Sequence, residues 1–137
     1  MKSQTFLSRL VGAVFLMCAA TAASAEQVLF CEIDDRGGRN LVPTEVLIRI
    51  ADNGSATVDT GLLRQLNLAP YPAEFVDVSA KKTRVRWKIE NLNVGSQQAD
   101  VEYRFYYTPA TDKAVVRFRA LGYRNKDHGD GTCTVKS

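Results

Sequence analysis

Basic side chains recur at alternate positions in three segments of the second half of the chain, and one tyrosine follows the same alternation: Arg86, Lys88, Arg104, Arg117, Arg119 and Tyr106. A guanidinium group presents its N–H donors as a planar fork that matches carboxylate and phosphate groups. A tyrosine beside such groups adds a flat contact surface. If the segments lie side by side, they form an anion-binding patch for a small molecule or an acidic protein surface. The alternative is a solvated face whose long side chains cover the wall of the sheet.

An acidic and glycine-rich segment, residues 127–131, contains the only histidine of the chain, His128. If the first and last strands adjoin, this segment lies near Asp34 and Asp35, and four carboxylates and one imidazole converge on a cation. Its spacing matches no calcium loop, and Asp and Gly are common turn residues. We therefore predict a loop over residues 122–131 and no metal site.

Catalytic chemistry has little support in the sequence. His128 lies among glycines, and no G-x-S-x-G nucleophile elbow is present. Two carboxylates can hydrolyse a glycosidic bond, but any chain of this size contains such pairs by chance. The sequence predicts no catalytic residues and no cofactor, and a small hydrolase is an alternative of lower rank.

Two cysteines, Cys31 and Cys133, stand near the two ends of the chain that follows a secretory leader. The simplest prediction for such a pair in an exported domain is a disulfide that holds the first strand beside the last. Two free thiols and a zinc site are the alternatives, and the single histidine argues against zinc. A third cysteine, Cys18, lies within the leader, where Met17 fits poorly with a lipid-attachment site.

Residues 1–25 have the pattern of a signal peptide. Lys2 and Arg9 are its positively charged residues, and residues 10–20 are its apolar core. Small residues at 23–25 then precede a cleavage site. A retained anchor or lipidation is the alternative to simple cleavage.

Cleavage changes the charge balance of the protein. Of the 18 Lys and Arg residues, two lie in the leader, so 16 basic residues remain against 15 acidic ones in a mature chain of 112 residues. A nearly neutral exported protein is a poor candidate for nucleic-acid binding. The predicted location is the periplasm or the extracellular space, with no membrane span after cleavage.

A period of two in apolar and polar residues dominates the mature chain and is typical of half-buried strands. The predicted strands cover residues 27–33, 44–51, 56–60, 73–78, 83–91, 101–107, 114–121 and 132–136. Trp87 alternates with apolar neighbours and is predicted to anchor the core, with a ligand platform as the alternative. Thr60 is predicted to cap a short helix over residues 60–68.

The hairpin of residues 101–107 and 114–121 permits two registers. Matching apolar faces places Phe105 opposite Val116 or Phe118. Either register sets Arg104 against another arginine, which is unfavourable on its own. The strand of residues 83–91 then adds its basic side chains to the same face.

These elements predict an all-β fold, a small antiparallel barrel or two-sheet sandwich of about eight strands with one short helix. Residues 26–137 form a single disulfide-linked domain. A bond between the first and last strands favours a closed or nearly closed barrel, because it joins two strands that are otherwise the edges.

The leader, the early cysteine, the single-tryptophan strand and the Gly122-Tyr123-Arg124-Asn125 … Gly131-Thr132-Cys133 ending resemble small secreted bacterial β-domain proteins of unassigned function. The layout also resembles the periplasmic and membrane-bound inhibitors of c-type lysozyme, which are small antiparallel barrels with terminal cysteines. Residues 78–82 precede Trp87 as the inhibitory loop precedes an aromatic strand there. The inhibitory loop of that family contains Ser-Ala-Ser-Gly and then Ala-Arg-Tyr. This chain has Ser79 and Ala80 but lacks the second serine, the glycine and the Ala-Arg-Tyr, so no site residues are transferred.

The sequence thus favours an exported, non-enzymatic binding module for an anionic partner. The second hypothesis is an inhibitor of an envelope-directed hydrolase. A cationic lysozyme would be repelled by the arginine-rich face, which disfavours inhibition through that surface.

Overall fold

The computed structural model describes residues 26–136, so the predicted signal peptide and Cys18 lie outside the described residues. The elements are β1 (Gln27–Asp35), β2 (Glu45–Ile50), β3 (Ala56–Thr60), α1 (Gly61–Gln65), β4 (Tyr71–Pro72), β5 (Phe75–Val78), β6 (Thr83–Val94), β7 (Gln97–Thr108), β8 (Lys113–Ala120) and β9 (Lys126–Lys136). All strands belong to one curled antiparallel sheet, a half-barrel, in the order β4-β3-β2-β1-β9-β8-β7-β6-β5.

The prediction of an antiparallel all-β fold with one short helix is confirmed. The prediction of about eight strands misses β4, which Tyr71 and Pro72 form by pairing with β3. The strands make one continuous sheet rather than two facing sheets. The region predicted as a polar connection over residues 91–98 instead continues β6 and β7 to a turn at Gly95, where φ is +64°. Glycine adopts this left-handed conformation without steric cost.

The core lies on the concave face, where every second side chain of the long strands points. Trp87 is 1% exposed and stacks on Tyr103, with 5.2 Å between ring centroids. The Tyr103 ring meets Phe118 edge-on at 5.4 Å. Such aromatic pairs add about 0.5–1.5 kcal/mol each beyond the burial of their apolar area. The prediction that Trp87 anchors the core is confirmed.

The predicted disulfide is confirmed. Cys31 of β1 lies directly opposite Cys133 of β9, with their Cα atoms 4.0 Å apart, and the bond joins positions 102 residues apart in the chain. The first strand therefore lies beside the last, as expected. The expectation that the bond joins two edges is wrong, because β1 and β9 are neighbours at the centre of the sheet and the edges are β4 and β5.

The two edge strands are consecutive in the chain, so one short segment spans the ends of the sheet. The backbone N–H of Ala73 donates to the carbonyl of Ala56 in β3 at 3.0 Å. The next N–H, of Glu74, donates to the carbonyl of Arg86 in β6 at 2.9 Å. Backbone groups at exposed sheet edges invite pairing with other chains, and this segment satisfies them internally.

Helix α1 begins as predicted, because the Thr60 hydroxyl accepts a hydrogen bond from the Leu63 N–H at 3.3 Å. Leu63 is fully buried and fixes the helix against the sheet. Within residues 26–136, no helix has both the length and the apolar character that a bilayer crossing requires.

Candidate anion-binding face

Three arginines lie in one row on the convex face of the sheet. Strand pairing places Arg86 of β6 opposite Arg104 of β7, and Arg104 opposite Arg117 of β8. Strand β9 extends the row with His128, directly opposite Arg117. We call these four residues the arginine row. Of the two hairpin registers allowed by the sequence, the structure has the one that sets Phe105 against a valine.

The neighbouring row on the same face contains both signs of charge. It runs Lys88, Glu102, Arg119 and Lys126 across β6 to β9, and we call it the mixed row. The two rows together hold six basic side chains and one acidic side chain. With His128 neutral, the net charge of these eight positions is +5. Opposite charges across strands stabilise a sheet and like charges destabilise it. The run Lys88–Glu102–Arg119 follows this rule, whereas the pair of Arg119 and Lys126 and the pairs of the arginine row do not.

Glu102 is the counter-ion shared by the two rows. Its Oε1 accepts a hydrogen bond from Arg104 Nε at 2.5 Å, and its Oε2 lies 4.0 Å from an Nη of Arg119. The Glu102 side chain is only 13% exposed, whereas those of the two arginines are about half exposed. The hydrogen bond that Arg104 donates to the Glu102 carboxylate raises the pKa of Arg104 above its usual value. One carboxylate therefore orients two guanidiniums that remain open to solvent.

Arg86 has an acidic neighbour at the edge of the face. Its Nε lies 3.8 Å from Glu74 Oε2, which is beyond hydrogen-bond distance. This Nε is shielded from solvent and has no hydrogen-bond partner among residues 26–136. The ion pair therefore leaves part of the donor capacity of Arg86 unused.

Among the described residues, no carboxylate lies within salt-bridge distance of Arg117. Its guanidinium carbon lies 5.8 Å from the centre of the Tyr106 ring, and Lys82 Nζ lies 5.4 Å from the same ring. Cation–π contacts of exposed side chains are weak, about 0.5–1 kcal/mol. Arg117 is thus a cation whose charge the sheet does not neutralise.

A shallow depression of about 580 Å³ opens on this face over β7, β8 and β9. Its lining residues are Glu102, Arg104, Val115, Arg117, Phe118, Arg119, Lys126, Asp127 and His128. Arg86 and Tyr106 line a smaller depression of about 160 Å³ together with exposed Phe75. Lys88 lies outside both depressions and forms an ion pair with Asp100, with 3.8 Å between Nζ and Oδ2. The structure therefore shifts the centre of the predicted patch from β6–β8 towards β9.

Sequence reasoning did not place Lys126 and His128 on the basic face, because it interpreted residues 122–131 as a loop. In the structure β9 begins at Lys126. The side chains of Lys126 and His128 point outward, and Gly129 occupies a position on the buried face. A Cβ on Gly131 would lie 1.7 Å from the Glu32 carbonyl oxygen. These glycines mark close approach of two strands rather than a turn. Lys126, His128 and Asp130 alternate with Asp127, Gly129 and Gly131, and this period of two was the available signal of a strand.

The acidic groups near His128 do not converge on a common point. Asp35 accepts hydrogen bonds of 3.0–3.2 Å from three backbone N–H groups of residues 37–40. Asp130 accepts a hydrogen bond from Arg36 Nε at 2.6 Å, and this bond lowers the pKa of Asp130. Asp127 is buried on the opposite face. Among residues 26–136, no three His, Cys, Asp or Glu side chains are grouped so as to hold a metal ion.

A second depression, of about 350 Å³, lies between α1 and residues 40–45. Its floor includes Trp87 and Tyr103, which are 1% and 2% exposed. The Tyr103 hydroxyl already donates to the carbonyl of Leu41 at 3.0 Å. This depression offers a ligand no open aromatic face, so the convex basic face is the stronger candidate.

No family model, curated protein or solved structure matches this chain. The resemblances noted from the sequence therefore stay predictions, and the function is argued from the face itself.

Replacing Arg117 with threonine is expected to stabilise the fold by about 0.5 kcal/mol at low salt, because it removes one like-charge pair and introduces a better strand former. High salt screens the repulsion and should reduce the gain. Urea unfolding at two salt concentrations measures both effects. Arg119→Thr is the comparison and should give a smaller gain, since it removes the attraction to Glu102 together with the repulsion from Lys126. A destabilised Arg117→Thr variant would contradict the electrostatic cost assigned to the row.

Proposed function

We propose that this protein is an exported, non-enzymatic binding module that takes up an anionic group on its convex face. The observation that carries the proposal is the row Arg86, Arg104 and Arg117, three like charges directly opposed on adjacent strands. Carboxylate and phosphate groups are the chemistry that such guanidiniums recognise in bidentate form.

The electrostatic cost of the row favours a ligand over a merely solvated face. Two unit charges about 5 Å apart repel by about 0.8 kcal/mol in bulk water, and more beside a protein surface. In the mixed row the same strands β6, β7 and β8 carry Lys88, Glu102 and Arg119, which alternate in charge without this cost. An anion between Arg104 and Arg117 adds two attractions that outweigh their mutual repulsion. Ligand binding then explains why the sequence contains an arginine row that lowers the stability of the free protein.

The disulfide supports an oxidising compartment for this function. Cytosolic thiols are kept reduced, whereas disulfides persist in the periplasm and outside the cell. Together with the leader predicted from the sequence, the Cys31–Cys133 bond favours export to one of these two places.

The test is a titration of the oxidised protein with citrate and with inorganic pyrophosphate, followed by NMR of the arginine Nε–Hε groups. We expect shifts at Arg104, Arg117 and Arg119, and an affinity that falls as salt rises. The variant carrying both Arg104→Gln and Arg119→Gln should bind at least about 10-fold more weakly, because it loses two charge-assisted contacts.

The matched control carries Arg49→Gln and Arg64→Gln. These arginines lie on β2 and α1, away from the face, and each has its own ion pair, with Glu26 and Asp59. The control should bind as the unaltered protein does. Equal affinity in the unaltered protein and the Arg104/Arg119 variant would eliminate the proposed site.

A further inference from the structure

The arginine row continues beyond β9. The backbone N–H of Arg36, the residue that follows β1, donates to the carbonyl of His128 at 3.1 Å. Arg36 therefore lies next to His128 as the fifth member of a line that begins at Arg86. At about 4.8 Å between neighbouring strands, the line is about 19 Å long.

The acidic side chains border this line but do not interrupt it. Glu102 stands in the mixed row on one side. Asp130 stands on the other side, in the row of Val115 with Asp34, and accepts the hydrogen bond of 2.6 Å that orients the guanidinium of Arg36. Glu74 lies at the β5 end, beside Arg86. Four arginines with His128 among them thus form a straight path across the strands, with negative charge along its margins.

A line of cations favours a chain of anionic groups over a compact anion. A single phosphate or carboxylate spans two neighbouring guanidiniums and leaves the others without a partner. A chain with charges along its length engages successive members, and each further contact forms within an already bound molecule. The depression over β7 to β9 can hold the middle of such a chain beside Arg104 and Arg117.

Aromatic groups at one end of the line indicate what kind of chain it is. Phe75 is 44% exposed, and the guanidinium of Arg86 lies 5.4 Å from the centre of its ring. Tyr106 lies beside them in the smaller depression. Sugar rings present apolar C–H faces that pack against aromatic rings, whereas a polyphosphate chain has no apolar face.

We propose, on the basis of the anion-binding function above, that the line from Arg86 to Arg36 is the track for a linear acidic polysaccharide lying across the strands. Its acidic groups contact the guanidiniums, and a sugar ring at one end packs on Phe75.

The experiment is calorimetric titration of the oxidised protein with oligogalacturonates of increasing length, from the monomer to the decamer. We expect affinity to rise at least about 10-fold between the dimer and the hexamer and then to level off, because longer chains extend past the row. The salt dependence of binding should steepen over the same lengths. Uncharged galactose oligomers of equal length should not bind.

Two variants test the ends of the track. Arg36→Gln and Phe75→Ala should each weaken hexamer binding at least about threefold while leaving citrate affinity unchanged, since citrate reaches only the central arginines. Unchanged citrate affinity also shows that both variants are folded. Arg64→Gln, far from the face, is the control and should bind the hexamer normally.

The outcomes separate this inference from the function on which it rests. Citrate binding with no dependence on glycan length overturns the track and leaves the anion site in place. Polyphosphate that binds as tightly as a glycan of equal charge, with Phe75→Ala unaffected, overturns the assignment to a polysaccharide. Failure of every anion to bind overturns both proposals.

Discussion

Replacement of both Cys31 and Cys133 with alanine is expected to lower the free energy of unfolding by about 4–5 kcal/mol, the largest stability change predicted for this protein. The bond closes a loop over a sequence separation of 102 residues, and so long a loop strongly restricts the unfolded chain. Urea unfolding of the oxidised protein and of the double variant, followed by tryptophan fluorescence, measures the difference.

Reduction of the unaltered protein provides the control for this prediction. A reducing agent should destabilise the unaltered protein by a similar amount and leave the double alanine variant unchanged. Cys31 and Cys133 are 0% and 7% exposed, so serine would bury a hydroxyl and is the poorer replacement. An unfolding midpoint that does not change on reduction would contradict the prediction.

Gly131→Ala is expected to destabilise the fold by about 3 kcal/mol or more, at the upper end of the cost of overpacking. A Cβ at this position would lie 1.7 Å from the Glu32 carbonyl oxygen and 2.9 Å from Ile33 Cα. Both contacts are with the backbone of β1, which cannot move aside without disturbing its pairing with β9. Thermal unfolding monitored by circular dichroism measures the effect.

Gly61→Ala is the matched control for this substitution. Gly61 begins α1, and a Cβ there would meet nothing within 4 Å. Alanine restricts the unfolded chain and favours the helix, so the variant should gain about 0.5 kcal/mol. Equal stability of Gly131→Ala and the unaltered protein would show that β1 and β9 are not in close approach at this point.

Local alternation was enough to predict the central hairpin and its register to within two choices. Residues 101–107 and 114–121 alternate apolar inward positions with outward positions that include Arg104, Arg117 and Arg119, so an odd shift in register would set Phe105 against an arginine. The structure has Phe105 opposite Val116. The prediction succeeded because the period of two fixes the face of each side chain before any tertiary contact forms.

The disulfide was predicted from cysteine number and compartment, but its place in the sheet was not. The pair of Cys31 and Cys133 implies that two strands adjoin, and says nothing of whether those strands lie at an edge. The edges are set by residues 71–78, which pair with β3 at one end and with β6 at the other. The sequence predicted a strand over residues 73–78, which contains β5, but no sequence periodicity marks the two-residue strand β4.

The basic face shows the same division between local pattern and long-range pairing. The sequence by itself determined that Arg86, Arg104 and Arg117 point away from the core, because alternation along each strand assigns them to the polar side. Only the tertiary structure decided that β9 lies beside β8 and brings His128 into the same row. The pairing of β9 with its other neighbour, β1, includes the close approach of Gly131 to Glu32, a steric fact that becomes visible only when strands distant in sequence meet.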